Sequence, residues 1–149
     1  MDNSKLIEAL NDLLEKTYDA EKGYMESREN TNSSTLKVLF NQKVAQRYHF
    51  GHEIKDLIRD LGGKPEKGGS VEGFLHRTWL DFKSMMSMSN DEEILEEIQK
   101  GEEAALEEYN EFLKEHDMPK NVRSVISKQR DQIARAHDRA EILEEVYED

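Results

Sequence analysis

The chain contains no cysteine, which removes disulfides and thiolate sites from consideration. Proline occurs only at Pro65 and Pro119, and glycine only eight times, so little punctuates the chain. No apolar run approaches the ~20 residues that a membrane span needs. The N-terminal stretch MDNSKLIEAL lacks the basic-then-apolar order of a signal peptide. The location expected from these features is a bacterial-type cytoplasm. No basic cluster offsets the acid excess: 21 Lys and Arg stand against 33 Asp and Glu, a net charge of −12 that repels phosphate backbones. Nucleic acid and membrane are therefore not expected partners. No Gly-rich phosphate loop, nucleophile elbow or Cys/His zinc pattern is present.

What remains is a lean apolar set. Leu, Ile, Val and Phe total 33 of 149 residues, just above the ~20% at which charged chains stay disordered. Long amphipathic helices use such a set efficiently, because one stripe per helix faces a shared core. The composition, rich in Glu, Lys, Leu and Ala, suits them. A single all-α domain over 1–149 is expected, with helices near 4–30, 34–62, 71–88, 91–116 and 119–147.

The stripes recur at steps of three and four. The first runs Leu6, Leu10, Leu13, Leu14, Thr17, Glu21, Tyr24, Arg28; the second Leu36, Phe40, Arg47, Phe50, Ile54, Leu57, Leu61. Between them, Asn30-Thr31-Asn32-Ser33-Ser34 ends one helix and caps the next. The stretch from Gly62 to Ser70 is a clear break. A shorter segment carries Phe74, Trp79, Phe82 and Met86. The last two stripes are Leu95, Ile98, Glu102, Ala105, Tyr109, Phe112 and Val122, Ile126, Gln129, Ile133, Ala136, Leu143. Short links pair the first two long helices, and the last two, as antiparallel neighbours. The long middle connection, with its own short fifth helix, then gives a four-helix bundle with one crossover, the ferritin-like arrangement.

Polar residues interrupt the stripes at one height. With ~1.5 Å of rise per residue, Glu21, Gln46, Glu102 and Gln132, together with His49 and His137, fall ~15–24 Å from one end of such a bundle. Gln129 lies with Gln132 on or beside the fourth stripe. Burying charge is costly unless it is paired, so this coincidence has a cause. One cause is a polar layer of Glu21, Gln46, Glu102, Gln129 and Gln132 that fixes helix register, with Arg28, Arg47 and Arg130 neutralising the acids. The other is a metal site. Di-metal carboxylate bundles take one Glu from each of two helices and Glu-x-x-His from each of the others. Here Glu21 and Glu102 fit the lone glutamates, but the second helix has Gln46-x-x-His49 and the fourth Ala134-x-x-His137. Two carboxylates are missing. Glu53 and Glu141, each four residues after a His, are the available substitutes.

Several stretches carry a family resemblance: Leu10-Asn11-Asp12-Leu13-Leu14, Asp19-Ala20-Glu21-Lys22-Gly23-Tyr24, Asp60-Leu61-Gly62-Gly63-Lys64-Pro65, Gly73-Phe74-Leu75-His76-Arg77-Thr78-Trp79, Gly101-Glu102-Glu103-Ala104-Ala105-Leu106 and Ala136-His137-Asp138-Arg139. In that order they resemble a bacterial ferritin-like family, a domain of unknown function found in four-helix-bundle proteins related to a Pseudomonas hypothetical protein. The resemblance implies the ferritin-like fold and no assigned reaction.

The leading expectation is a non-catalytic bundle without a cofactor, acting through protein contacts or as a stress-associated accessory protein. Self-association is expected through the flanking apolar residues Ile7, Ile58 and Ile142. The alternative is an Fe or Mn oxidase or metal-storage protein using Glu21, His49, Glu102 and His137, with Glu53 or Glu141 completing the shell. A third reading places a ligand pocket at the Trp79 helix, with polar groups around His76. Met85, Met86 and Met88 read as helix-end packing, and the acidic runs as solvated faces.

Overall fold

The computed structural model of the chain describes residues 3–66 and 90–148, with side chains described as far as Arg135. Among these residues there are four α-helices and no strand: α1 Ser4–Asn30, α2 Ser34–Asp60, α3 Asp91–Glu115 and α4 Lys120–Glu148. None is long and apolar enough to cross a membrane. The chain divides into two compact units, Met1–Met88 and Ser89–Asp149. The expected helix at 71–88, with Trp79 and its neighbours, lies outside the described residues.

In the first unit α1 and α2 form an antiparallel hairpin. Thr31 leaves α1 in extended backbone. Its hydroxyl accepts from the Ser33 N–H at 3.1 Å, and the Ser33 hydroxyl accepts from the Leu36 N–H at 3.2 Å, which caps α2. The core joins Leu6, Leu10, Leu13, Leu14 and Tyr24 of α1 to Leu36, Phe40, Phe50, Ile54, Leu57 and Ile58 of α2. Register is read from three contacts. Tyr24 stacks on Phe40, Arg28 donates to Asn41, and Gly51 faces Thr17 and Tyr18.

The sequence predicted an end for α2 near residue 62, and the helix stops at Asp60. A Schellman turn causes this. Gly62 adopts φ +86°, its N–H donates to the Arg59 carbonyl, and the Gly63 N–H donates to the Ile58 carbonyl, both at 2.9 Å. The chain beyond is tied back to α1: the Asn11 amide donates to the Lys64 carbonyl and accepts from the Glu66 N–H.

This turn corrects one expectation. Ile7 and Ile58 do not flank the core as free apolar residues. Ile58 is fully buried, and both side chains close over Gly63, where an added Cβ would lie 2.7 Å from an Ile7 methyl and 3.1 Å from an Ile58 methyl. The side chain of Ile142 lies outside the described residues.

The second unit is the hairpin of α3 and α4. The Asn90 side chain caps α3 by accepting from the Glu93 N–H at 2.9 Å, and Asp91, Glu92 and Glu93 complement the positive end of the helix. Pro119 stands just before α4, one position earlier than its first helical residue, and its carbonyl accepts the Arg123 N–H. Arg123 also reaches across to the Leu113 carbonyl. The core holds Ile94, Leu95, Ile98, Tyr109 and Phe112 against Val122, Ile126 and Ile133.

Candidate functional site

In the first hairpin the buried cations both lie on α2. Lys43 and Arg47 are 2% and 5% exposed, and they occupy the stripe between Phe40 and Phe50. The Lys43 ammonium lies 5.6 Å from the centre of the Tyr24 ring, and the Arg47 guanidinium 5.8 Å from that of Phe50. Arg47 also donates to the side-chain oxygen of its half-buried neighbour Gln46. The hairpin register brings half-buried Glu21 level with Arg47. His49, by contrast, is exposed, and Glu53 is half-buried.

On α1, Glu15 is buried and Asp19 follows one turn later. The Asp19 carboxyl is raised above its ordinary value of 3.8, first by burial and then by the negative charge of Glu15, with Lys22 pulling the other way. Across the hairpin the Lys55 ammonium lies 5.3 Å from the Tyr18 ring centre.

In the second hairpin Glu102 has no exposed surface, and Gln129 has almost none. The Tyr109 hydroxyl donates to the Gln129 side-chain oxygen at 2.7 Å. Arg130 donates to Asn110, so neighbouring residues on α3 and α4 confirm one register. That register sets Glu102 level with the backbone of Ala136 and His137. Gln132 is half-buried. The side chains of His137 and Glu141 lie outside the described residues.

Two of the three arginines expected to neutralise Glu21 and Glu102 are engaged elsewhere. Arg28 donates to Asn41 on α2. Arg130 donates to Asn110 and pairs with Asp131 at 2.8 Å. Among the described residues no group of three His, Asp or Glu side chains is placed to hold a metal ion.

The model of the family described as "Domain of unknown function (DUF2383)" matches residues 5–115. The chain belongs to this family. No curated protein matches it. The family segment spans α1, α2 and α3, so it contains Glu21, Lys43, Gln46, Arg47, His49, Glu53 and Glu102. Gln129, Gln132, His137 and Glu141 lie on α4, beyond the matched residues.

Several interior polar roles are not marked in the sequence. Lys43 fills the gap between Phe40 and Arg47 at steps of three and four, so the period alone would have found it. Tyr109 falls on its stripe, and its hydroxyl is what holds Gln129. Glu15 lies off the α1 stripe, and no periodicity marks it.

Proposed function

We propose that this member of the family is a ferritin-like four-helix bundle that is non-catalytic and acts through protein contacts or as a stress-associated accessory protein. The supporting observation is the sign of the charge inside α2. A di-metal site needs anionic donors at mid-helix, and two divalent ions bring four positive charges. At that height α2 buries two cations instead, Lys43 and Arg47, and the amide of Gln46 is already accepting from Arg47. Arg47 keeps its proton in any surround, and fixed positive charge in a poorly solvated interior repels a metal cation strongly. The polar groups serve as a layer that sets helix register, as the Tyr109–Gln129 bond does between α3 and α4.

A metal-binding reading keeps one supporting observation, the fully buried carboxylate of Glu102. It takes Fe or Mn on Glu21, His49, Glu53, Glu102, His137 and Glu141. Oxygen and peroxide consumption in the presence of Fe(II) separates the two. The contact reading predicts rates equal to buffer with Fe(II) alone. Catalytic turnover that is abolished by Glu102→Ala in a folded variant overturns it.

A further inference from the structure

The outer face of α2 is unlike the rest of the described surface. Between Val38 and His52 the exposed residues are Val38, Asn41, Gln42, Ala45, Tyr48, His49 and His52. None is Asp, Glu, Lys or Arg, although those types make up 36% of the chain. The two charged side chains in this span, Lys43 and Arg47, are the buried ones. On α3, by comparison, Glu93, Glu96, Lys100, Glu103, Glu107, Glu111, Lys114 and Glu115 are all exposed. The α2 face also carries two of the large apolar side chains most open to water, Val38 at 58% and Tyr48 at 52%. The Tyr48 ring stands edge-on to both His49 and His52, with centroids 5.7 and 4.6 Å away, which makes a preassembled aromatic surface. Depletion of charge with enrichment of Tyr is the composition of an interface centre.

We infer that this face binds a second copy of the chain, α2 against α2 in antiparallel fashion, with the two-fold axis at Ala45. The face is complementary to itself about that point. An antiparallel pairing centred on Ala45 sets Val38 across from the second copy's His52, Asn41 across from its His49 and Gln42 across from its Tyr48. The small side chain of Ala45 meets its own copy at the axis, where helices approach to ~8–10 Å. On α2 itself charges appear only at the edges, and they match: Lys37 falls beside the second copy's Glu53, and Asp56 beside the positive N-terminal end of the second copy's α2 at Ser34; Arg28 of α1 reaches the face at Asn41. A chain of net charge −12 repels its own copies over most of its surface, so a face free of acidic groups is where they meet. The apposed span of about 14 residues is ~21 Å long, which makes a small isologous contact and a concentration-dependent dimer.

This names a partner for the contact reading above and rests on that reading for its biological use, but its test reads association alone. Light scattering on the full chain should give a mass rising with concentration from 17.4 kDa toward twice that value. Ala45→Glu places two carboxylates at the axis and should hold the mass at 17.4 kDa with an unchanged circular dichroism spectrum. If Ala45→Glu misfolds, cross-linking decides. The chain has no cysteine, so Ala45→Cys should oxidise to a covalent dimer at least ten times faster than Ala104→Cys on the exposed side of α3. A wild-type mass of 17.4 kDa at all concentrations to about 1 mM overturns the dimer. So does equal cross-linking at the two positions, or a dimer indifferent to Ala45→Glu. None of these results touches the iron assay, so failure here and failure of the contact reading are distinguishable.

Discussion

The Tyr109 hydroxyl donates to the Gln129 side chain at 2.7 Å, and both groups are buried between α3 and α4. A directional bond in an apolar surround ties one level of α3 to one level of α4, where apolar packing alone would tolerate a slip. Tyr109→Phe keeps the ring and removes the donor. It should lower stability by about 1 kcal/mol in chemical denaturation. A cycle with Gln129→Leu should show coupling of similar size, and strict additivity would deny the bond its role.

Two glycines, Gly63 and Gly101, predict opposite signs. Gly63→Ala forces a methyl to 2.7 Å from Ile7, and the branched Ile7 and Ile58 have little freedom to move. A loss of about 1–3 kcal/mol is expected. Gly101 lies in the interior of α3 with no atom within 4 Å of an added Cβ. Gly101→Ala should therefore stabilise the fold by about 0.5–1 kcal/mol. Thermal melts of the pair check both.

Asp19 makes stability depend on pH in a known direction. Its carboxyl is raised above 3.8 in the fold by burial and by Glu15. As pH climbs from 3.8 through the raised value, the unfolded chain gives up its proton first, so the folded state loses stability across that window. Asp19→Asn removes the effect. The variant should melt higher than wild type at pH 7, and the gap should close as pH falls below 3.8, where both states hold the proton. A gap that stays constant with pH would exclude Asp19 as its source.

Four helix ends were legible because Ser33, Asn90, Gly62 and Pro119 are chemical punctuation, and each acts at or beside a helix end as its type dictates. Burial was less legible where charge masks position. Lys43 keeps the stripe's period, but a lysine reads as surface until the structure shows it over the Tyr24 ring. Ile7 and Ile58 misled in the other direction, because the contact that covers them is made by Gly63, a residue without a side chain. Hydrogen-bond partners were not legible at all. Spacing placed Arg28 and Arg130 near the acids, and the structure commits them to Asn41 and Asn110.

Elemental analysis of the protein purified from iron- and manganese-supplemented cells bears most directly on the cationic interior of α2. With Lys43 and Arg47 buried at mid-helix, far less than one metal ion per chain is predicted, and Glu102→Ala should leave the figure unchanged. Two ions per chain, lost together in Glu21→Ala and Glu102→Ala, would contradict it.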